Sequence, residues 1–329
     1  MRTVLALVAT SALAALSTVP AAAGPGQHGQ EDRQGARAQG QGQGPGQGEG
    51  HGQGRGSGPA VAQESAVVAA AGDISVNCGE PLCPDADTAD LVAGMSPDAV
   101  LTLGDQRNDS AGLEDFQEHF DPTWGRFKEL IKPSPGNHEY DGDPEAGGYF
   151  GYFGEAARPR GESWYSFDIG GWHVVSLNSE EDRRADGEQV RWLAEDLAAT
   201  DKQCVMAYWH RPKYSSGSGH GDFPNVKPFW DVLREHGADV VLNGHDHDYE
   251  RFAPQDADGN ATEDGIRQFV VGTGGAWQRP FGETRPNSEF RLADTFGALK
   301  LTLDPGSYAW QFVDVDGTVH DEGGPTACQ

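Results

Sequence analysis

The stretch Gly244-His245-Asp246-His247-Asp248-Tyr249-Glu250-Arg251 follows the short apolar run Asp239–Leu242, with Asn243 between them. An apolar run of this length, ending at a glycine, predicts a buried strand that ends in a loop. Because His245 and His247 alternate, both rings can converge on one side of an extended or looped backbone while Asp246 faces away. The stretch therefore predicts a strand that ends in a pair of metal-binding histidines.

Four further motifs upstream have the same character, and each follows an apolar run: Gly72-Asp73, Gly104-Asp105, Gly136-Asn137-His138-Glu139 and Trp209-His210. Polar side chains at the ends of strands are typical ligand-binding positions of α/β folds. The preceding glycines permit tight turns. The five motifs together supply enough carboxylate, amide and imidazole groups for two metal ions, and such pairs polarise phosphate esters and activate water.

The alternation of predicted strands and helices indicates an α/β domain. The predicted strands are 66–71, 99–103, 172–177, 204–209, 239–242, 268–271, 298–303 and 308–315. The predicted helices are 88–95, with Asp85 and Asp87 as candidate caps, 112–120, 187–199 and 228–236. The sequence Asp304-Pro305-Gly306-Ser307 predicts a hairpin turn between the last two strands.

The five motifs, in this order and spacing, resemble those of the calcineurin-like metallophosphoesterases, close to the purple acid phosphatases and to secreted bacterial acid or alkaline phosphatases. The most specific part is the run from Gly244 to Arg251, with its Tyr-Glu-Arg ending. The resemblance extends over about Val67–Gln329 and implies a four-layer α/β/β/α sandwich. Two mixed sheets would lie face to face, with the metals on loops at one edge.

The resemblance also implies a role for each matching residue. Asp105 would bridge the two metals, and the remaining ligands would be Asp73 and His247 on the first, and Asn137, His210 and His245 on the second. His138 would bind no metal. It would lie near the leaving-group oxygen, where it stabilises charge or donates a proton, while a metal-bound hydroxide attacks phosphorus directly.

Two departures from the family pattern concern the first metal. Many relatives have a histidine where this chain has Ser75, and purple acid phosphatases have a tyrosine ligand where it has Asn108. Asn108 or water would then fill the gap, and the holoenzyme is predicted not to be purple. The mixed imidazole and carboxylate ligands suit Fe, Zn or Mn better than Ca. Mg is also compatible, and the identity of the pair stays open.

Two residues are candidates for contact with substrate. His220 lies in the Ser/Gly-rich segment Ser215–Gly221, where it would contact substrate or be a surface histidine. Arg107 follows the bridging aspartate by two residues, where it would clamp phosphate oxygens or form a salt bridge. The sequence leaves both alternatives open.

The N-terminal part of the chain predicts export. Residues 1–23 read as a signal peptide, with Arg2 before an apolar stretch and small residues at Ala21-Ala22-Ala23. Residues 24–60 form a Gly/Gln-rich linker that is expected to be disordered, and residues 61–329 form the phosphoesterase domain. No later segment is apolar for long enough to cross a bilayer, so we expect a secreted protein without stable membrane insertion.

The four cysteines and the net charge fit this compartment. In an exported protein an even number of cysteines suggests disulfides, and we predict Cys78–Cys83 and Cys204–Cys328. The formal net charge of -27 disfavours nucleic acid as a partner. A small anionic substrate stays compatible, because bound cations reverse the local field.

The predicted function is the metal-dependent hydrolysis of small phosphate monoesters outside the cell. One alternative is a phosphodiesterase or nucleotide hydrolase on the same fold. Another is a non-catalytic binding protein whose first metal site has degraded, which Ser75 and Asn108 would explain. A Ser/Thr protein phosphatase is disfavoured by the export signal. The oligomeric state and the natural substrate stay open.

Overall fold

The computed structural model describes residues 64–77 and 83–329, which belong to a compact unit spanning Pro59–Gln329. The predicted signal peptide, residues 1–23, and the predicted linker, residues 24–60, lie outside the described residues. Cys78 also lies outside them, so the Cys78–Cys83 bridge stays a prediction. Within the described ranges, no helix combines the length and apolarity that a membrane span requires.

The described residues contain thirteen strands and six α-helices. The strands are β1 (Ala66–Ala71), β2 (Ala99–Leu103), β3 (Ile131–Ser134), β4 (Tyr165–Ile169), β5 (Trp172–Ser176), β6 (Cys204–Tyr208), β7 (Val240–Asn243), β8 (Tyr249–Phe252), β9 (Arg267–Val271), β10 (Ser288–Leu292), β11 (Gly297–Asp304), β12 (Ser307–Asp314) and β13 (Val319–Ala327). The helices are α1 (Pro84–Met95), α2 (Leu113–Asp115), α3 (Asn137–Tyr140), α4 (Gly147–Phe153), α5 (Glu188–Ala199) and α6 (Lys227–Glu235).

The strands form two mixed sheets, as expected. The first has the order β13-β12-β11-β1-β2-β3, and the second has the order β10-β8-β9-β7-β6-β5-β4. Strands β1, β2 and β3 run parallel to one another in the first sheet, and β5, β6, β7 and β9 do so in the second. The remaining pairs are antiparallel.

Alternating side chains build two hydrophobic cores on the two faces of the second sheet. Val174 and Met206 belong to a large core that also contains residues of the first sheet. Their chain neighbours Val175 and Val205 belong to a second core, with residues of α5 and α6. Successive side chains of a strand point to opposite faces, so apolar residues at consecutive positions require cover on both sides. The α/β sandwich of two mixed sheets is confirmed.

Five strands of the structure were not predicted, namely β3, β4, β8, β10 and β13, and two helix predictions differ from the structure. Strand β3 was not predicted, because it contains Pro133, which cannot complete a ladder of hydrogen bonds; it lies at the edge of its sheet, where proline is tolerated. Helix α1 begins at Pro84, so Asp85 and Asp87 lie in its first turn and are not caps. The predicted helix 112–120 is the short α2 followed by a π-helical segment, Phe116–Phe120.

The predicted bridge between Cys204 and Cys328 is confirmed. Cys204 begins β6 in the second sheet, and Cys328 follows β13, the last strand of the first sheet. The bond therefore joins the second sheet to the chain end that follows β13. Both cysteines are buried. The adjacent Gln329 amide donates to Asp239 Oδ1 at 2.8 Å, which attaches the C-terminus a second time.

Candidate metal centre

Four of the predicted ligands occupy equivalent positions at the ends of parallel strands. Asp73, Asp105, His210 and His245 each lie two residues beyond the end of β1, β2, β6 and β7 respectively. Strands β1 and β2 are parallel neighbours, and so are β6 and β7, so within each sheet their carboxyl ends meet at one edge. The fold therefore gathers residues that lie up to 172 positions apart in the chain.

One group of donor atoms surrounds His210. Its Nε2 lies 3.1 Å from Asp105 Oδ2, 3.0 Å from His245 Nδ1 and 3.2 Å from Asn137 Oδ1. Asp105, His210 and His245 are all buried, and their three donor atoms lie within 4.8 Å of one another. Ligands about 2.0–2.2 Å from one cation lie roughly 3 Å from each other. These four side chains therefore fit one metal ion.

A second group of donors lies beside the first. Asp73 Oδ1 lies 3.3 Å from His247 Nε2, and both side chains are buried. The other oxygen, Asp73 Oδ2, accepts a hydrogen bond from the His245 amide at 2.7 Å. That bond links the two groups, so Asp73 and His247 fit a second cation next to the first.

Hydrogen bonds behind two of the rings select the nitrogen that faces the centre. His210 Nδ1 lies 2.9 Å from the Leu103 carbonyl oxygen, and His247 Nδ1 lies 2.6 Å from that of Trp277. A carbonyl oxygen accepts a hydrogen bond from Nδ1–H, and the ring proton on Nδ1 leaves the lone pair of Nε2 for a metal. This arrangement is the usual support of metal-binding histidines.

The backbone at the centre is held in an uncommon conformation. Asp73, Asp105 and His245 have φ angles of 56°, 49° and 74°, in the left-handed region that non-glycine residues seldom adopt. Such strain concentrates at functional sites and persists where the surroundings enforce it. Gly136 allows a close approach to Asp105, since a Cβ there would lie 2.2 Å from Asp105 Oδ1.

The buried charges at the centre are strongly coupled. Burial raises the pKa of Asp105, but the adjacent His210 outweighs it, and the pKa of Asp105 lies below its ordinary value. Burial lowers the pKa of His210, but Asp105 outweighs it and raises the pKa of His210 to about 10. Burial and His210 together lower the pKa of His245. Cations that bind these groups compete with protons for the same atoms.

His138 lies beside Asp105 and is partly open to solvent. Its Nε2 lies 3.8 Å from Asp105 Oδ2, and its Nδ1 lies 2.9 Å from Asp141 Oδ2, with 29% of the side chain exposed. The His138 amide also donates to Asp105 Oδ1 at 2.9 Å. The ring is therefore close to the donor groups and accessible from outside.

The two predicted substrate residues have different positions. The His220 ring stacks on His245 with a centroid distance of 3.9 Å, and its side chain is exposed, so it lies over the centre. Arg107 is fully buried, and its guanidinium donates to Ser75 Oγ at 2.8 Å and to Asn77 Oδ1 at 2.7 Å. The structure thus gives Arg107 a supporting position under the loop after β1, because the short bridge Ser75–Arg107 continues the pairing of β1 and β2.

Asn108, the candidate additional ligand, has a free acceptor. Its Nδ2 donates to the Asp105 carbonyl at 3.0 Å, while its Oδ1 is buried without a hydrogen-bond partner among the described residues. A buried amide oxygen without a partner carries a free-energy cost that a bound cation would remove.

Three residues that support the centre were not predicted as site residues. Glu139 accepts hydrogen bonds from the Gly136 amide at 2.7 Å and the Asp105 amide at 2.9 Å. Burial and the charge of Asp105 raise the pKa of Glu139 to about 8. Asp246 accepts from the amides of His220 and Gly221, and Arg211 contacts His245. Glu139 could be recognised from the sequence, because it belongs to the motif Gly136-Asn137-His138-Glu139. The contacts of Asp246 and Arg211, in contrast, depend on long-range folding.

Comparison with known proteins agrees with this geometry. The profile of the Calcineurin-like phosphoesterase family matches residues 68–249, more than half of the chain. The chain belongs to the calcineurin-like phosphoesterase family. The match contains Asp73, Asp105, His210 and the His245–His247 pair, so the family assignment and the donor groups rest on the same part of the chain.

Among curated relatives in this family, Purple acid phosphatase 15 of Arabidopsis thaliana is 32% identical over 201 residues, covering 50% of this chain and 38% of the relative. Purple acid phosphatase 23 of the same plant is 36% identical over 158 residues, covering 42% and 34%. Acid phosphatase type 7 of Homo sapiens is 28% identical over 195 residues, covering 48% and 41%. The chain thus spans half or less of the length of these relatives.

Solved structures share the fold. Purple acid phosphatase PPD1 from yellow lupin (Lupinus luteus) seeds has a TM-score of 0.69 and 23% identity, covering 79% of this chain and 53% of that one. GAP50, the anchor in the inner membrane complex of Plasmodium, has a TM-score of 0.59 and 14% identity, covering 80% and 90%. At these identities the likeness shows the fold alone.

Proposed function

We propose that this protein is a secreted phosphatase that hydrolyses small phosphate monoesters with the help of two metal ions. The observation that carries the proposal is the pair of adjacent donor groups, one around His210 that includes Asp105 and one formed by Asp73 and His247. Its relatives named purple acid phosphatases support the same reaction class.

We assign the ligands of each ion from the donor groups. The first would be held by Asp73, His247 and the bridging Asp105, with the free Oδ1 of Asn108 as an additional ligand. The second would be held by Asp105, Asn137, His210 and His245. Mixed carboxylate, amide and imidazole donors suit Fe, Zn or Mn, and Mg is also compatible. When bound, such a pair activates water and neutralises charge on the phosphoryl oxygens.

The chain's own residues would orient the substrate and handle its protons. His138 is accessible and adjacent to the bridge position, so it can donate a proton to the departing alkoxide oxygen. Asp141, 2.9 Å from the other ring nitrogen, holds the ring in orientation. His220 lies over the centre, where it can contact the substrate.

Charge and compartment favour a small substrate outside the cell. The net charge of -27 opposes long nucleic acids, which weakens the nuclease alternative. The Cys204–Cys328 bridge fits an oxidising compartment, in agreement with the predicted signal peptide. The non-catalytic alternative rests on Ser75 and Asn108, and on the occurrence of this fold in GAP50, an anchor.

The test is hydrolysis of a chromogenic phosphate monoester by protein stripped with a chelator and then reloaded with Zn, Mn, Fe or Mg. We expect a reloaded metal to restore turnover in the wild type, and Asp105→Ala to abolish it. Asp186→Ala, at an exposed position, is the matched control and should retain activity. Turnover of a diester in preference to the monoester would support the phosphodiesterase alternative. Absence of turnover and a metal content below two would support the non-catalytic one.

A further inference from the structure

Arg211 directly follows the predicted ligand His210 in the chain. Its side chain reaches the edge of the candidate metal centre, and its Nε end is held in place. Its Nε donates to Glu180 Oε1 at 2.9 Å and Oε2 at 3.0 Å. The guanidinium carbon lies 5.0 Å from the centre of the Phe223 ring. The side chain is 23% exposed, so its outer nitrogens can meet a molecule that enters from solvent.

The outer end of this guanidinium contacts a predicted metal ligand. Arg211 Nη1 lies 3.2 Å from His245 Nε2. A guanidinium can only donate hydrogen bonds, so in this contact Nε2 is the acceptor. In a neutral imidazole ring with Nε2 as the acceptor, the proton is on Nδ1.

Metal binding at His245 is incompatible with this hydrogen bond. The Nδ1 atom of His245 faces His210 Nε2 and the donor group, so Nδ1 is the atom that would bind the cation. A neutral imidazole that binds a metal through Nδ1 carries its proton on Nε2. The N–H groups of His245 Nε2 and Arg211 Nη1 would then face each other. Arg211 Nη1 would lose its acceptor, while Arg211 Nε would still donate its hydrogen bonds to Glu180.

We propose that Arg211 binds a phosphoryl oxygen of the substrate in the metal-loaded protein, with Glu180 as the residue that positions it. The inference rests on the phosphatase function proposed above. The released N–H group needs an acceptor at the edge of the centre, and a phosphoryl oxygen is both a strong acceptor and anionic. A fixed guanidinium there also offsets the repulsion that a protein of net charge -27 exerts on an anion.

The test is the binding of inorganic phosphate to metal-loaded protein, measured by titration calorimetry together with metal content. Arg211→Gln should weaken phosphate binding about tenfold to a hundredfold, the usual effect of losing a charged hydrogen bond, with both metals retained. In turnover of a monoester, the same variant should raise KM by a similar factor. Arg211→Lys keeps the charge without the forked contact to Glu180 and should give an intermediate loss.

Arg183→Gln is the matched control. Arg183 stacks on the same Phe223 ring at 5.3 Å, but its guanidinium donates to the Ser179 and Glu181 carbonyl oxygens. Its removal deletes the same charge nearby and should change the affinity for phosphate by no more than about twofold.

Two results would overturn this inference without affecting the proposed function. One is an unchanged affinity for phosphate in Arg211→Gln. The other is an equal loss of affinity in Arg183→Gln, which would show that only the overall electrostatic field of the protein matters. In both cases wild-type turnover would still support the phosphatase. A wild-type protein that takes up no metal pair would overturn both proposals.

Discussion

At the scale of single residues, the centre depends on positions where a side chain would not fit. Gly136 precedes Asn137, and a Cβ at Gly136 would lie 2.2 Å from Asp105 Oδ1 and 2.5 Å from Asp105 N. Real Cβ atoms do not approach other atoms so closely, so either the α3 turn or Asp105 would have to move. The fit of the Asp105 carboxylate is therefore a consequence of one missing methyl group.

We predict that Gly136→Ala displaces Asp105 and Asn137 and lowers kcat/KM for a phosphate monoester about a hundredfold, the usual effect of a misplacement near 1 Å. Metal content after dialysis should fall in parallel. Gly94→Ala is the control, since a Cβ at this α1 position would meet nothing within 4 Å. That variant should retain activity and gain about 0.5–1 kcal/mol of stability. Full metal content and activity in Gly136→Ala would refute the steric argument.

Asn108 gives a spectroscopic prediction at the same scale. Purple acid phosphatases have a tyrosine ligand at this position, and this chain has an amide. The iron-loaded wild type should therefore lack a strong visible absorption band. Asn108→Tyr should introduce a charge-transfer band if the position faces the first metal. A strong band in the wild type, or a colourless variant with iron bound, would contradict the assignment.

At the scale of elements, His173 joins a strand pair to a helix. The residue lies on β5, and its Nδ1 is 2.8 Å from Asp168 on β4 while its Nε2 is 2.8 Å from Asp196 on α5. Burial lowers the pKa of His173, but the bonds to Asp196 and Asp168 outweigh it, so the pKa lies above the ordinary value of 6.5. The charged ring thus connects three elements.

The raised pKa predicts stability that depends on pH. The stabilisation by His173 is fully present below about pH 6.5, the unfolded value, and is lost as pH rises through the higher folded value. His173→Gln should cost about 1–2 kcal/mol at pH 5.5, and the difference from wild type should shrink towards pH 9. Urea unfolding of both proteins across this range is the measurement.

The control for this prediction is His320→Gln. Among the described residues, the His320 ring forms an ion pair with one carboxylate, Asp314, at 2.6 Å, and its side chain is 30% exposed. Its substitution should cost less than that of His173, because His320 has one partner in place of two and solvent screens its more exposed ring. If the difference in unfolding free energy between His173→Gln and wild type does not change with pH, a charged His173 ring is excluded.

At the scale of the whole molecule, the two sheets are tied by covalent and polar contacts at the chain end. The bond between Cys204 and Cys328 spans 124 positions, and the Gln329 amide donates to Asp239 beside it. Closing a loop of this size restricts the unfolded chain strongly. The bond is buried, so it also contributes packing between β6 and the C-terminus.

We predict that the double variant Cys204→Ala/Cys328→Ala loses about 3–5 kcal/mol of unfolding free energy. Chemical denaturation of the metal-loaded proteins would measure the loss, with wild type as the reference. The predicted metal ligands lie beyond the carboxyl ends of the strands, after Gly72, Gly104 and Gly244, whereas Cys204 begins β6. The folded variant should therefore retain its metals. An unchanged denaturation midpoint would show that the chain end is held without the bond.

The sequence by itself determined which side chains are the candidate ligands and which segments carry them. Strands β1 and β2 have the predicted bounds, because the apolar pattern that marks a buried strand is local. The polar motif that follows each apolar run could be recognised without knowledge of the fold. The match of residue type to metal chemistry is likewise a property of the side chain.

Only the tertiary structure decided how these parts face one another. Strand order and register put Arg107 under a loop although it is a near neighbour of Asp105 in the chain. The same long-range pairing brings Glu139 to the Asp105 amide and Arg211 to His245. Which ring nitrogen faces the centre depends on carbonyl groups 107 and 30 positions away. Such contacts arise from packing between distant elements, so no local pattern contains them.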